Sequence, residues 1–183
     1  MNLGNGADKG IVASTSGNEM ADAPLSTAQT VADTSDWNRL VSESAREAFE
    51  MMIGASLENS DAEPDKVPAE ITAVIGLAGP IHGVFAIRCS NAMANAMAVG
   101  MIGKEAMDDP NQPWDALGEV CNIVAGSFKH YTGAVGQNSV LSVPTVIYGC
   151  DYHIRPLAQG TVLECVMQAE AGLLHLRLDY KLT

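Results

Sequence analysis

The segment DALGEVCNIVAGSFK carries two acids, an amide and a glycine at helical spacing: Asp115, Glu119, Asn122 and Gly126. A helix turns by about 100° per residue, so these four lie within about 60° of one another, opposite an apolar side. The carboxylates and the carboxamide therefore point together toward solvent or a partner. The carboxylates of Asp115 and Glu119 lie one turn apart, and glycosidases also use a pair of carboxylic acids. Here both acids project from one helix face instead of flanking a cleft, which disfavours glycosidase chemistry.

Two glycines beside this face, Gly118 and Gly126, are unusual inside a helix, where each costs about 1 kcal/mol relative to alanine. Close approach of another backbone or of a compact ligand would offset that cost. Without side chains at the two glycines, Glu119 and Asn122 are accessible to such a molecule. A solvated polar stripe with a close helix contact explains the same glycines. Periodicity alone leaves both interpretations open.

Periodic apolar residues predict the helices that position this face. One begins near Trp37, with Ser35 or Asp36 as its N-cap, and another follows Ser90 over NAMANAMAVGMIG. The motif helix covers WDALGEVCNIVAGSFKHY, with Pro113 in its first turn. Two β-rich runs separated by a Gly-Pro turn predict a hairpin, AEITAVIGLAG and IHGVFAIRC. Further strands are predicted around PTVIYG, GTVLECVMQA and GLLHLRLDYKL.

Two related halves are indicated by aligning the first helix with the motif helix. The alignment places Glu43 on Asp115, Glu47 on Glu119, Glu50 on Asn122 and Gly54 on Gly126, and Val74-Ile75 on Val146-Ile147. This match predicts a repeated helix–strand–strand unit. We therefore expect an α+β fold in which long helices pack against an antiparallel sheet built from two pseudo-symmetric halves.

Composition restricts the classes of function. The 183 residues contain 10 Lys and Arg against 22 Asp and Glu, a formal net charge of −12, and 47% are hydrophobic, enough for one buried core. The excess of acid disfavours nucleic-acid binding, and no apolar run is long enough to span a membrane. No secretory signal is evident, so a cytoplasmic location is expected. Residues 1–36 are predicted to be a flexible acidic tail, followed by one domain at 37–183.

The cysteines and histidines do not suggest a metal or redox site. Widely spaced among aliphatic residues, the cysteines are interpreted as reduced core thiols: Cys89, Cys121, Cys150 and Cys165. The histidines lack the spacing of metal ligands: His82, His130, His153 and His175. No nucleophile elbow or phosphate-binding glycine loop is present in the sequence.

The motif segment resembles the phosphatase helix of the CheC/CheX/FliY family of chemotaxis proteins, in the pattern D-x-x-x-E-x-x-N-x-x-x-G. After the motif segment, SVPTVIYG lies at the distance where that family has its strand led by Ser-x-Pro. Before the motif segment lies a Met-x-Gly segment, Met101-Ile102-Gly103. The order of elements also matches. The resemblance covers about residues 37–183 and is closest to CheX, which similarly has one intact Glu/Asn site.

The resemblance implies removal of the phosphoryl group from the aspartyl phosphate of a CheY-like response regulator, ending a chemotaxis or two-component signal. Asn122 would orient the attacking water, and Glu119 would pair with the regulator's active-site lysine. Asp115, Gly118 and Gly126 would contact the partner. Mg²⁺ would reside in the regulator, so no cofactor of the chain's own is expected. The resemblance also implies a homodimer through sheet edges, with GLLHLRLDYKL as the candidate edge strand.

Glu50 places a carboxylate where an intact second site would need Asn, and with Glu43 and Glu47 it would repel phosphate, so we expect no catalysis on the first helix. Two alternatives stay open. One is a catalytically silent CheX-like adaptor that keeps the fold and the partner. The other is an unrelated acidic interaction module.

Overall fold

The computed structural model describes residues 34–149, 152, 154 and 160–183. The predicted tail lies outside these residues up to residue 33, as do Cys150 and His153. The described helices are α1 (Trp37–Ile53), α2 (Asn91–Ile102), α3 (Gln112–Tyr131) and the short α4 (Gly133–Gln137). The described strands are β1 (Glu58–Ser60), β2 (Ile71–Ala78), β3 (Ile81–Cys89), β4 (Val140–Leu141), β5 (Thr145–Tyr148), β6 (Thr161–Ala169) and β7 (Gly172–Leu182).

The helices and strands predicted from the sequence are all present. Helix α1 follows Asp36, whose side chain makes no capping hydrogen bond. At the start of α2, Ser90 Oγ accepts a hydrogen bond from the backbone N–H of Met93 at 3.2 Å, which satisfies one free donor of the first turn. The sequence analysis missed β1 and β4, because runs of two or three residues are too short to show alternation.

The strands form one seven-stranded antiparallel sheet in the order β1-β6-β7-β3-β2-β4, with β5 also paired to β2. This confirms the predicted α+β architecture. The prediction that β7 lies at an edge is wrong, because β7 pairs with β3 on one side and β6 on the other. Its alternation of apolar and polar residues reflects a sheet with one face in the core and one polar face, and not a free edge.

The strand order is symmetric about the centre of the sheet, between β7 and β3. In this symmetry β1 corresponds to β5, β2 to β6 and β3 to β7. Each half is therefore a helix followed by three strands, with β4 as an addition. The predicted pairing of α1 with α3 agrees with this symmetry, but the predicted strand alignment is wrong. Val146 belongs to β5, which lies beside β2 and is paired there with Ala73, so the counterpart of β2 is β6.

The core lies between the helices and one face of the sheet. Trp37, the first residue of α1, is only 3% exposed. Its ring lies 5.3 Å from that of Phe128 in α3 and 4.8 Å from that of Tyr180 in β7. These aromatic contacts join α1, α3 and the centre of the sheet, so they set the orientation of the motif helix.

The thiols in the described part of the chain are core residues, as predicted. Cys89 and Cys121 are buried, Cys165 is half-buried, and none of the three is in a disulfide. Burial raises the pKa of Cys89 and Cys121 to about 12 and that of Cys165 to about 11. These thiols are therefore protonated at neutral pH and poor nucleophiles.

The outer face of the sheet, opposite the core, carries a charged cluster. Arg177 donates to Asp179 through Nε at 2.6 Å and Nη2 at 2.8 Å, and to Glu164 through Nη1 at 2.7 Å. His175 lies beside this cluster and is 4% exposed. Burial, together with the positive charges of Arg88 and Arg177, lowers the pKa of His175 to about 4, although Glu164 opposes the shift.

We expect the free energy of unfolding to fall as the pH is lowered from about 6.5 to about 4. Over this interval His175 becomes protonated in the unfolded chain but stays neutral in the folded chain, because its pKa in the folded chain is about 4. Proton binding therefore favours the unfolded state. The loss attributable to His175 is on the order of 2 kcal/mol. Urea denaturation of the wild type and of His175→Gln at both pH values measures it, and the variant should lose less. An equal loss in both proteins would contradict the assignment.

Candidate functional site on helix α3

Helix α3 begins at a turn that neighbouring polar groups hold in place. The Asp109 carboxylate accepts hydrogen bonds from the backbone N–H of Asn111 at 2.9 Å and from its Nδ2 at 3.1 Å. The Asn111 carbonyl in turn accepts from the N–H groups of Trp114 and Asp115, at 2.9 and 3.1 Å. Asp115 therefore lies in the first turn, where the helix dipole favours a carboxylate.

Strand β5 packs against the first two turns of α3. The Trp114 ring stacks on that of Tyr148, with centroids 4.3 Å apart and planes inclined by 4°. Gly118 is buried one turn later, where an added Cβ would lie 3.4 Å from Val146 Cγ2 and 3.9 Å from Pro144 Cβ. The missing side chain of Gly118 allows the close approach of β5. That Gly118 also contacts a partner stays a prediction.

The opposite side of α3 is open. Asp115 and Glu119 are exposed, and Asn122 and Gly126 are half-buried. An added Cβ at Gly126 would meet no atom within 4 Å. We call this surface the α3 face: Asp115, Glu119, Asn122 and Gly126. The apolar side faces the core and comprises Ala116, Leu117, Val120, Cys121, Val124 and Phe128.

Two segments flank the α3 face. On one side a shallow groove of about 200 Å³ separates it from the end of α2, where Ile102 is 51% exposed. On the other side lies the loop before β5, in which Ser142 Oγ accepts a hydrogen bond from the Gly76 N–H at 2.9 Å. The next residue, Val143, is 81% exposed. The acid and the amide are therefore bordered by apolar side chains that another molecule can cover.

The sequence analysis did not identify Ile102 and Val143 as site residues. The Met-x-Gly and Ser-x-Pro patterns pointed to the two segments, since each residue is the middle position of its pattern. Their exposure depends on how α2 ends and on how Ser142 ties the loop to β2, which no local spacing reveals.

The polar side chains of the α3 face have no partner in the described part of the chain. No hydrogen bond or ion pair joins Asp115, Glu119 or Asn122 to another described side chain. Adjacent residues three apart on a helix have Cβ atoms about 5–6 Å from each other. One bound group can therefore contact both Glu119 and Asn122.

The corresponding face of α1 differs in its bonding. Glu43 accepts a hydrogen bond from Arg39 Nη1 at 2.8 Å, and Glu47 accepts one from the Tyr131 hydroxyl at 2.5 Å. Glu50 is exposed where the motif helix has its amide. Of the two related helices, α3 is thus the one whose acid and amide are available to another molecule.

No group of three or more His, Cys, Asp or Glu among the described residues is arranged to hold a metal ion. His82 lies on β3, His130 on α3 and His175 on β7. That the chain needs no metal of its own stays a prediction.

A protein-family model described as Chemotaxis phosphatase CheX matches residues 71–168, which is more than half of the chain. The chain belongs to the CheX family. The matched residues include all of the α3 face, so the membership covers the site as well as the scaffold.

Solved structures of CheX proteins share this fold at low sequence identity. CheX from Desulfovibrio desulfuricans has a TM-score of 0.70 and 19% identity, with 80% of this chain and 99% of that chain covered. CheX from Vibrio vulnificus has a TM-score of 0.69 and 18% identity, with coverage of 80% and 97%. The CheX-CheY-BeF3-Mg²⁺ complex from Borrelia burgdorferi matches with a TM-score of 0.65 and 19% identity, with coverage of 80% and 98%.

These matches confirm the CheX-like family and fold that the motif predicted. None of the curated proteins matches the chain in sequence. No helix among the described residues combines the length and the hydropathy of a membrane span.

We expect Gly126→Ala to raise the free energy of unfolding by about 1 kcal/mol, because alanine favours a helix interior and its Cβ meets no atom within 4 Å. The matched control is Gly100→Ala in α2, where the Cβ would clash with Ile53 and we expect a loss of about 1–3 kcal/mol. Urea denaturation followed by circular dichroism gives both values. A loss of stability in Gly126→Ala would contradict the open α3 face.

Proposed function

We propose that the chain removes the phosphoryl group from the aspartyl phosphate of a CheY-like response regulator, ending a chemotaxis or other two-component signal. The observation that carries this proposal is the α3 face. In a CheX-family fold, Glu119 and Asn122 lie side by side on one helix without a described partner. The relative from Borrelia burgdorferi, solved in complex with CheY, BeF3 and Mg²⁺, supports a regulator of that kind as the partner.

In the proposed reaction a water attacks phosphorus in line with its bond to the regulator's aspartate. The new P–O bond forms as the old one breaks, the aspartate leaves as a carboxylate, and both protons of the water stay with the product, dihydrogen phosphate. Asn122 orients the water, since its carboxamide accepts through Oδ1 and donates through Nδ2. An acyl phosphate has a good leaving group, so positioning and charge neutralisation suffice without a strong base.

Glu119 positions the two proteins by pairing with the regulator's active-site lysine. This pairing also neutralises one of the carboxylates on the α3 face, which otherwise repel a phosphoryl group. The net charge of −12 provides no long-range attraction to an acidic regulator. Affinity therefore rests on short-range contacts, which are the lysine pair and the apolar border formed by Ile102 and Val143. Asp115 and Gly126 contact the partner, and Mg²⁺ belongs to the regulator.

The proposal also includes a homodimer through a sheet edge. Strand β7 is internal, so the described edges are β1 at one end and β4 with β5 at the other. Strand β5 packs against α3 through the stack of Tyr148 on Trp114. Pairing at that end would crowd the α3 face, whereas pairing through β1 leaves it free. We therefore expect the dimer to form at the β1 edge.

We expect the wild type to accelerate phosphate release from a phosphorylated CheY-like regulator in magnesium buffer. Asn122→Ala should lower kcat by about a hundredfold with little change in KM, because the water loses its orienting group. Glu119→Ala should mainly raise KM, because the lysine loses its partner. Release of inorganic phosphate, measured over a range of regulator concentrations, separates the two effects.

Glu50→Ala is the matched control, because Glu50 occupies the position on α1 that corresponds to Asn122 and is exposed. It should keep wild-type activity, and circular dichroism should show that all three variants are folded. If the wild type binds the phosphorylated regulators but accelerates none of them, the phosphatase proposal is wrong and the silent adaptor takes its place.

For the dimer, light scattering at micromolar concentration should give twice the mass of one chain. A proline substitution in β1, Asn59→Pro, should shift the mass toward the monomer, because proline removes a backbone donor from the edge. A monomeric wild type at this concentration would refute the dimer.

A further inference from the structure

The outer face of the sheet carries a cavity of about 550 Å³, which we call the sheet-face pocket. Its floor comes from residues of β2, β3, β6 and β7 that alternate with core residues, and its volume is within the range of about 300–1,000 Å³ typical of small-molecule sites. At one end Arg88 Nη2 donates to the Pro64 carbonyl. The sheet itself separates the pocket from the α3 face. The lining residues that matter here are Thr72, Val84, Ala86, Arg88, Glu164, His175, Arg177 and Asp179.

Most polar groups around the pocket satisfy one another. Arg177 uses Nε, Nη1 and Nη2 on Asp179 and Glu164, at 2.6 to 2.8 Å. The Thr72 hydroxyl shares a hydrogen bond of 2.6 Å with the Tyr152 hydroxyl. These groups form a fixed wall and have little capacity left for a ligand.

Two buried polar atoms in the pocket have no hydrogen-bond partner, Arg88 Nε and His175 Nε2. His175 is 4% exposed, and its Nε2 lies 3.3 Å from Glu164 Oε1 without the alignment of a hydrogen bond. A buried polar group left unsatisfied costs about 1–3 kcal/mol. Arg88 and His175 are directly opposite each other on β3 and β7, so one bound group can reach both.

The charges in the pocket favour an anionic ligand group. Arg88 forms no ion pair with a described carboxylate, whereas Glu164 and Asp179 are already paired with Arg177. His175 is neutral at neutral pH because its pKa is lowered to about 4, so its imidazole has one N–H to donate. A carboxylate accepts from both groups and supplies the charge that Arg88 lacks, whereas a metal cation would be repelled by Arg88.

We propose that the sheet-face pocket binds a small carboxylic acid, whose carboxylate accepts hydrogen bonds from Arg88 and His175 and whose apolar part lies against Val84 and Ala86. Glu63 and Asp65 also line the pocket, and both residues are exposed to solvent, which screens their charge. The site does not depend on the proposed phosphatase function, because it lies on the other face of the sheet.

The test is a titration of the full chain with benzoate, and with benzamide as a neutral ligand of the same size. Nitrogen-15 NMR follows the Arg88 Nε–H and His175 imidazole resonances. We expect benzoate to shift both, with an affinity at least about tenfold higher than that of benzamide. Arg88→Gln should weaken benzoate binding by about tenfold or more. His175→Gln provides a second variant in case Arg88→Gln does not fold.

Arg39→Gln is the matched control, because Arg39 is an exposed arginine on α1 that pairs with Asp36 and Glu43. It should bind benzoate as the wild type does. No shift of the Arg88 and His175 resonances up to about 10 mM benzoate would overturn the proposal. Equal affinity for benzoate and benzamide would also overturn the proposal. So would the finding that a second copy of the chain covers the outer face of the sheet.

Discussion

Burial of the sheet on one face only is the constraint on which the rest of the structure depends. Successive residues of a strand point to opposite faces, so the strands under α1, α2 and α3 are apolar toward the helices and free to be polar on the other side. The same burial sets the rotation of α3, because its apolar side must meet the sheet. The α3 face and the sheet-face pocket therefore lie on opposite surfaces for one physical reason.

The symmetric strand order gives the chain two helices in equivalent places, and they differ in what their carboxylates contact. On α1, Glu43 and Glu47 are held by Arg39 and Tyr131. Tyr131 is the last residue of α3. The end of the motif helix therefore donates a hydrogen bond to Glu47, an acid of the related helix α1. The two halves therefore share a scaffold, but the α3 face is open, whereas two acids on the corresponding face of α1 already form hydrogen bonds within the chain.

Much of this structure could be predicted because the relevant signals are local. The longer helices and strands show their period, and Glu119 with Asn122 can be placed on one face from spacing alone. Alternation in β7 reports which face each residue takes, but it contains no information about neighbouring strands, so the edge position was predicted wrongly. The juxtaposition of Arg88 and His175 depends on the register between distant strands, which single-element patterns do not contain.

The two tryptophans of the chain occupy contrasting environments. Trp37 is enclosed between α1, α3 and β7, whereas half-buried Trp114 is stacked on exposed Tyr148 at the start of the motif helix. Emission from the first therefore reports on the integrity of the core, and emission from the second reports on the surroundings of the α3 face. The protein carries an intrinsic fluorescent reference and an intrinsic fluorescent sensor in one molecule, without any attached dye.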